Sequence, residues 1–221
     1  MTNRMRRFDL VVFDWDGTLS DSTGMIAECL QRACADLGLD VPDERSARQV
    51  IGLGLADTLR LVAPALPPER YPELTSAYRD HFLRGDSDVR LFSGVRELLD
   101  ALRAAGYTLA VATGKSRRGL ERALRQQSLA DVFACTRCAD EGNPKPHPDM
   151  LLHLMATLDV PPERTLMVGD TTHDVELARN AGVRALAVSF GAHSAADLRA
   201  AADVPVVPSI AEVQDGFERE G

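Results

Sequence analysis

Residues 8–19 read FDLVVFDWDGTL, and the interpretation of the whole chain starts from this stretch. The apolar run over residues 10–13 has the composition of a short buried strand. The run stops at Asp14 and Asp16, and Gly17 then allows the chain to turn. Open α/β sheets bind ligands at the carboxyl ends of their strands, so both acids are predicted to lie where ligands bind. Two carboxylates this close repel each other unless a cation lies between them or they share a proton.

The composition is that of an acidic globular protein. Of the 221 residues, 45% are hydrophobic and 26% are charged, and the formal net charge is −8. This length holds one good-sized domain, or a core domain with a small insert. No basic stripe is present to bind a nucleic-acid backbone, so a nucleic-acid partner is not expected. A metal ion and a few lysines can still reverse the local sign and admit an anionic substrate.

Targeting signals are weak. The amino-terminal segment 1–7 is basic, but the apolar run that follows ends at Asp14 and is too short for a secretory signal. No stretch approaches the roughly 20 apolar residues of a membrane span. We therefore expect a cytoplasmic protein without a membrane partner.

The four cysteines give one pattern of interest. Cys29 and Cys34 lie in a helical pattern and are expected in the core. Cys135 and Cys138 form a Cys-x-x-Cys, which is typical of a redox pair or of half a zinc site. No second cysteine pair accompanies it, so two reduced cysteines at a strand end are expected and any further role stays open.

Residues 20–90 contain no strand-like run of any length. Apolar residues instead recur at helical spacing in four segments, Met25–Leu37, Glu44–Ile51, Leu55–Val62 and Glu69–Leu83. The sequence therefore predicts an all-helical cap domain over residues 20–89. Residues 1–19 and 90–221 would form the core domain.

Strands and helices alternate after this block. Predicted strands cover 108–112, 131–135, 165–168, 183–188 and 204–207, and predicted helices cover 94–105, 117–127, 150–158, 174–181 and a segment from residue 210. This alternation predicts a parallel sheet with helices on both faces. The expected fold class is α/β, a Rossmann-like parallel sheet core with an inserted helical cap.

Two further segments carry candidate phosphate-binding groups. Thr113 and Gly114 follow a predicted strand and offer a hydroxyl and open backbone N–H groups. The alternative is an ordinary turn in which Ser116 caps the next helix. Lys145 lies between two prolines that restrict its approach, although a lysine in a proline-rich loop can also be simply exposed.

The strand over residues 165–168 is also followed by carboxylates. Asp170 comes directly after Gly169, and Asp174 follows four residues later. Asp174 could be a helix cap. Asp170 fits capping less well, and it would lie beside Asp14 if the two strands are neighbours.

Taken in order, these groups resemble the four motifs of the haloacid dehalogenase superfamily. The resemblance rests on Asp14-x-Asp16-Gly-Thr, Thr113 after a strand, Lys145, and Gly169-Asp170 followed by Asp174. It covers nearly the whole chain, including the helical cap. The stretch KPHPDM at 145–150 further resembles the branch that holds phosphoglycolate phosphatases and pyrophosphatases.

The resemblance implies a role for each acid. Asp14 would attack phosphorus and form an aspartyl-phosphate, and Asp16 would act as general acid and then as general base. Mg²⁺ would be held by Asp14, the backbone carbonyl of Asp16, and Asp170. Asp174 would orient a metal-bound water.

The phosphate-binding residues follow from the same resemblance. Thr113, the Gly114 N–H and Lys145 would hold the phosphoryl oxygens. Lys145 would also offset repulsion between Asp14 and the incoming anion.

The expected activity is a Mg²⁺-dependent phosphatase acting on a small, phosphoglycolate-like phosphate monoester. The alternatives are a sugar phosphomutase of the β-phosphoglucomutase type, a pyrophosphatase, or a non-catalytic relative. Such phosphomutases typically carry Gly-Val where this chain has Gly17-Thr18, which favours hydrolysis. The partner would be a small phosphorylated metabolite, and the chain would be a monomer or a homodimer.

The predicted cap offers few distinct signals. Gly52-Leu53-Gly54 is either a loop facing the site or a simple separator of helices. Arg48 and Arg60 could reach an anionic group or be solvated. His173 occupies a spacer position of the fourth motif and receives no role.

Overall fold

The computed structural model describes residues 7–85 and 89–214. Within them, six parallel strands form one sheet: β1 Leu10–Phe13, β2 Thr108–Thr113, β3 Cys135–Cys138, β4 Thr165–Gly169, β5 Arg184–Val188 and β6 Val206–Val207. The strand order is β3-β2-β1-β4-β5-β6, so β1 is central, between β2 and β4. The order reverses at β1, which creates a crevice at the carboxyl ends of the strands. The predicted Rossmann-like α/β core is confirmed.

Nine α-helices lie wholly within the described residues, and residues 211–214 are also helical. Four follow β1, α1 Thr23–Asp36, α2 Glu44–Gln49, α3 Leu55–Val62 and α4 Tyr71–Gly85, and we call residues 23–85 the helical insert. The other five are α5 Val95–Ala104, α6 Arg117–Gln126, α7 Asp149–Leu158, α8 Thr172–Asn180 and α9 Ala195–Ala201. The apolar spacing of the sequence does not predict α9, because this alanine-rich helix buries only Leu198 and has no apolar stripe.

The sheet is covered on both faces, and β1 shows why its sequence is continuously apolar. Val11 and Phe13 join a cluster with side chains of α5 and α6. Leu10 and Val12 join a second cluster with side chains of α7 and α8. Successive strand residues point to opposite faces, so a strand buried on both faces has no polar positions.

The helical insert has an apolar cluster of its own. Leu30, Leu59 and Leu74 are fully buried in it, on α1, α3 and α4. Residues 21–85 contain helices and turns but no strand. The domain bounds, 20–89 for the cap and 1–19 with 90–221 for the core, stay a prediction.

The bounds predicted for the third strand were wrong. Residues 131–134 form a turn and an irregular segment, and β3 begins at Cys135, whose register partner on β2 is Ala110. Val132 and Phe133 gave the segment its strand-like composition, but they pack from outside the strand against the core. Most of the helix predicted from residue 210 lies outside the described residues. Across the described ranges, every helix is too short or too polar to cross a membrane.

Candidate active site

Asp14 and Asp16 lie where β1 ends, and both are buried. The amide of Asp14 still donates to the Val168 carbonyl of β4, so its backbone is fixed by the sheet. Lys145 Nζ donates to Asp14 Oδ1 at 2.5 Å. Asp14 Oδ2 is buried and has no hydrogen-bond partner among the described residues. An unpaired buried carboxylate oxygen is costly, so its position requires an explanation.

Asp170 lies at the end of β4, and β4 is the neighbour of β1, so the condition for its place beside Asp14 is met. Its Oδ1 accepts from the Thr18 hydroxyl at 2.8 Å and its Oδ2 from the Ala192 amide at 2.7 Å. Gly17 has φ +89°, and a Cβ there would lie 2.1 Å from Asp170 Oδ2. The glycine after Asp16 is therefore required both by the turn and by the close approach of Asp170.

Asp174 is a helix cap and also part of the acidic cluster. Its Oδ2 accepts from the Thr171 amide and hydroxyl in a capping box at the start of α8. Its Oδ1 accepts from Lys145 Nζ at 2.6 Å. The two readings of Asp174 that the sequence left open are therefore compatible, because each uses a different oxygen.

Lys145 is a buried cation, with 1% of its surface exposed. It forms ion pairs with both Asp14 and Asp174. Of the two readings that its proline-rich loop allowed, the exposed lysine is excluded.

Burial shifts the proton equilibria of this cluster. It raises the pKa of Asp14 well above its usual range, while the Lys145 ammonium opposes that shift. It also raises the pKa of Asp170 to about 7, and the Asp174 carboxylate adds to the effect. Burial alone would lower the pKa of Lys145, but Asp14 and Asp174 outweigh it and hold that pKa above its ordinary value.

The acidic cluster fits a divalent cation. Ligand atoms of Asp14, Asp170 and Asp174 lie within 4.8 Å of one another. A carboxylate offers about four acceptor positions. Asp14 uses one, Asp170 two and Asp174 three. The number of acceptor positions that remain free is therefore greatest on Asp14 and least on Asp174. Hard cations such as Mg²⁺ prefer carboxylate oxygens as ligands.

Thr113 and Gly114 lie at the end of β2, the other neighbour of β1. Thr113 is fully buried, and its hydroxyl accepts from the Lys115 amide at 3.2 Å. Ser116 caps α6 by accepting from the Gly119 amide, as its alternative reading predicted. The Ser116 helix cap does not involve Thr113 or Gly114, so both remain beside Asp14 at the carboxyl edge of the sheet.

Asp16 has partners that the sequence did not indicate. Its Oδ1 accepts from the Ser22 hydroxyl at 2.6 Å and lies 2.9 Å from Lys115 Nζ. The motif resemblance ends at Gly114 and implies no role for Lys115. A signal was present, since a lysine directly after a phosphate-binding glycine is placed at the same edge of the sheet.

The loop of residues 52–54 faces the site. A Cβ on Gly114 would lie 2.4 Å from the Leu53 carbonyl and 2.7 Å from the Gly52 carbonyl. A Cβ on Gly52 would lie 3.1 Å from the Thr171 hydroxyl, and one on Gly54 would lie 3.2 Å from Pro144. The insert therefore closes directly over the edge of the sheet, and the simple-separator reading is wrong.

Two histidines attach the insert to the core. His173 Nε2 and His193 Nε2 lie 2.9 and 3.2 Å from the Gln49 carbonyl at the end of α2. His193 Nδ1 accepts from the Thr172 amide, and burial lowers the pKa of its imidazole. Both rings thus contact the insert rather than the acidic cluster. Arg48 and Arg60 bind Glu44 and Asp57 on their own helices, and Arg48 also donates to Thr23.

The Cys-x-x-Cys on β3 has no redox or metal geometry. Its cysteines are three strand residues apart, about 10 Å, whereas a disulfide needs Cα atoms closer than about 7 Å. Burial raises the pKa of Cys138 to about 12, which disfavours a thiolate. No third metal-ligating side chain joins the pair in the ranges that the structure describes. The pair is a packing feature.

Gly114→Ala is expected to lower the free energy of unfolding by about 1–3 kcal/mol, because the new Cβ collides with backbone of the 52–54 loop. Urea denaturation measures the change. Gly24→Ala on α1 is the control, since its Cβ meets nothing closer than 3.9 Å and alanine favours a helix. Equal stability of the two variants would show that the loop does not pack on Gly114.

Comparison with known proteins defines the family. A sequence model of the family "Haloacid dehalogenase-like hydrolase" matches residues 11–188, from within β1 to the end of β5. The chain belongs to the haloacid dehalogenase-like hydrolases. The matched range contains all four motif regions, and the resemblance drawn from the sequence is confirmed.

Individual relatives define the reaction class. The chain is 36% identical over 209 residues to "Probable phosphatase IndB" of Dickeya dadantii, covering 92% of this chain and 91% of that protein. It is 32% identical over 216 residues to "Phosphoglycolate phosphatase" of Vibrio vulnificus, covering 93% and 94%. The crystal structure of a predicted phosphoglycolate phosphatase from Haemophilus somnus superposes on this chain with a TM-score of 0.84 at 26% identity, covering 96% of this chain and 98% of that one. This haloacid dehalogenase-like hydrolase is an enzyme of the phosphatase class.

Proposed function

We propose that this hydrolase is a Mg²⁺-dependent phosphatase that cleaves a small phosphate monoester through an aspartyl-phosphate on Asp14. The observation that carries the proposal is Asp14 Oδ2, a buried carboxylate oxygen to which no group in residues 7–85 or 89–214 donates a hydrogen bond. It lies at the edge of the sheet beside a buried lysine and two further buried acids. An oxygen left free in such a cluster suits a nucleophile and a cation ligand.

Asp14 and Asp16 would carry out the chemical steps. A carboxylate oxygen of Asp14 forms a bond to phosphorus, and the bond from phosphorus to the ester oxygen breaks. Asp16 gives its proton to the departing oxygen, so the leaving group departs as an alcohol. Asp16 then takes a proton from a water molecule that attacks phosphorus, which releases inorganic phosphate and restores Asp14.

The acidic cluster would hold the metal. Asp14, the Asp16 carbonyl and Asp170 would be its ligands, and Asp174 would act through a water molecule. This assignment agrees with the order of remaining acceptor capacity of the three side chains. When bound, Mg²⁺ supplies positive charge that offsets the charge on the phosphoryl oxygens.

Three groups would bind the phosphoryl oxygens. Thr113 contributes a hydroxyl, Gly114 a backbone N–H near the start of α6, and Lys145 a buried ammonium. Lys145 also separates Asp14 from Asp174, so it limits repulsion toward an incoming anion. These groups explain how a chain of net charge −8 binds phosphate.

The proposed substrate is a small phosphorylated metabolite of the phosphoglycolate type. The loop of residues 52–54 lies against Gly114, so the space above the edge of the sheet is closed by the insert. A closed site excludes bulk water and suits a small ester. The Vibrio vulnificus relative carries the matching name.

Phosphate release tests the proposed function. The enzyme with Mg²⁺ is given phosphoglycolate, an aryl phosphate, pyrophosphate and β-glucose 1-phosphate, and both free phosphate and sugar-phosphate isomers are measured. We expect free phosphate from the monoesters. Turnover of the sugar phosphate without free phosphate would contradict the proposal and indicate a mutase, and release from pyrophosphate alone would indicate a pyrophosphatase.

Metal binding is expected to strengthen as pH rises through about 7. Burial raises the pKa of Asp170 to about 7, so below that pH a proton competes with the metal. In the folded protein without metal, Asp170 keeps this proton at pH values above roughly 4, where the unfolded chain loses it. The free energy of unfolding therefore falls as pH rises from about 4 to 7. Mg²⁺ should therefore raise the unfolding temperature more at pH 8 than at pH 6. Thermal unfolding with and without Mg²⁺ measures this, and an equal gain at both pH values would contradict it.

A further inference from the structure

Lysine is rare in this chain, and both lysines lie at the site. Of the 25 basic residues, Lys115 and Lys145 are the two lysines, and all the others are arginines. Lysine has a compact charge on a flexible stem, whereas arginine presents a wide planar fork. Lys145 is proposed to bind the phosphoryl oxygens, whereas the proposed reaction gives Lys115 no role.

The side chain of Lys115 is directed at Asp16. Its Nζ lies 2.9 Å from Asp16 Oδ1, and 9% of the side chain is exposed. The Ser22 hydroxyl donates to the same oxygen at 2.6 Å. Two donors on one oxygen fix the orientation of the carboxyl group, and they leave Oδ2 to carry the proton that Asp16 transfers.

Lys115 is itself held from two directions. Its amide donates to the Thr113 hydroxyl, and its carbonyl accepts from the Ala139 amide, so its backbone is fixed in the phosphate-binding loop. Its Nζ lies 4.8 Å from the centre of the Phe82 ring on α4, within the range of a cation–π contact. Lys115 thus joins the core, Asp16 and the helical insert.

We propose that Lys115 is a positioning residue for Asp16, and that Phe82 connects this function to closure of the insert. Lys115 orients the acid so that its proton meets the departing ester oxygen. Phe82 holds Lys115 in that position when α4 lies over the site. The proposal rests on the proposed function, since it assigns the acid role to Asp16.

The dependence of rate on leaving group tests this proposal. Lys115→Met, of similar length without charge, is compared with wild type on 2,4-dinitrophenyl, 4-nitrophenyl, phenyl and ethyl phosphate, whose leaving groups carry no second anion. The ratio kcat/KM reports steps only up to departure of the leaving group. A displaced acid costs little when the leaving group needs no proton. We expect a loss of about threefold with the dinitrophenyl ester, rising to about 100-fold with the ethyl ester.

Phe82→Leu should give the same trend with smaller losses, because it loosens Lys115 without removing it. Arg118→Met is the matched control, since Arg118 is exposed on α6, three residues after Lys115. An equal loss on all four esters, or no loss, would overturn the positioning role. Failure of wild type to hydrolyse any of them would instead refute the proposed function.

A second measurement needs no activity and no lysine variant. Protein labelled with ¹⁵N-lysine gives two side-chain ammonium signals by nuclear magnetic resonance, one from each lysine. We expect Asp16→Asn and Phe82→Leu to move the same signal, because both residues contact Lys115 Nζ. Asp174→Asn should move the other signal, that of Lys145. If Asp16→Asn and Phe82→Leu act on different signals, or on neither, the proposed connection is wrong.

Discussion

Asp14→Asn is expected to reduce phosphatase activity by a factor on the order of 10⁴ or more, because the amide cannot form the aspartyl-phosphate. The fold should survive, since the amide oxygen can still accept from Lys145 Nζ. Burial raises the pKa of Asp14 well above its usual range, so the charged carboxylate is disfavoured in the folded state. Lys145 also keeps its ion pair with Asp174, so the unfolding temperature should fall less than in Lys145→Met. Steady-state hydrolysis of an aryl phosphate and thermal unfolding measure the two effects.

Asp57→Asn is the matched control for this substitution. Asp57 lies on α3, where its carboxylate pairs with Arg60 in an exposed ion pair. Exposed ion pairs contribute little stability, so this variant should keep both activity and unfolding temperature. Residual hydrolysis by Asp14→Asn at a tenth of the wild-type rate would contradict the nucleophile assignment.

Lys145→Met is expected to impair stability and activity together. It removes the ammonium that lies between Asp14 and Asp174, and leaves three buried carboxylates near one another. Breaking a buried ion pair from one side costs about 3–5 kcal/mol of unfolding free energy. Loss of a charged group at the phosphoryl oxygens should lower kcat/KM by about 10²–10³-fold. Urea denaturation and steady-state kinetics measure these losses.

The stability loss of Lys145→Met should depend on pH. Without the cation the carboxyl groups bind protons more tightly when folded than when unfolded, so stability falls as pH rises. The deficit relative to wild type is therefore expected to be larger at pH 8 than at pH 5. Arg118→Met again serves as control, because it removes an exposed positive charge. A deficit independent of pH would mean that Lys145 contributes packing rather than charge.

Much of the core could be predicted because its signals are local. The apolar run of β1 alternates between two packed faces, and a strand of that kind has few alternatives. Asp14 and Asp170 each follow directly after a strand, and Thr113 is the last residue of β2. Once the strands are parallel neighbours, these side chains must lie along the same edge of the sheet.

The features that the sequence missed depend on contacts between distant elements. Val132 and Phe133 have strand-like composition, and the register of β3 places them outside the strand instead. His193 contacts Gln49, which is 144 positions away along the chain. Lys115 follows β2 and Phe82 lies on α4, so the two meet only where the helical insert contacts the core. Periodicity and spacing along the chain do not predict how the insert packs on the core, so the sequence did not predict these contacts.

Detection of the phosphorylated enzyme tests whether Asp14 is the nucleophile. Asp16→Asn should slow hydrolysis of the intermediate while a dinitrophenyl ester still transfers its phosphoryl group, so the intermediate should accumulate. The reaction is quenched in acid, and peptides are mapped by mass spectrometry, with the double variant that also carries Asp14→Asn as control. We expect one phosphoryl group on Asp14, absent from the double variant. Release of dinitrophenol with no phosphorylated peptide, or with phosphate on another residue, would contradict it.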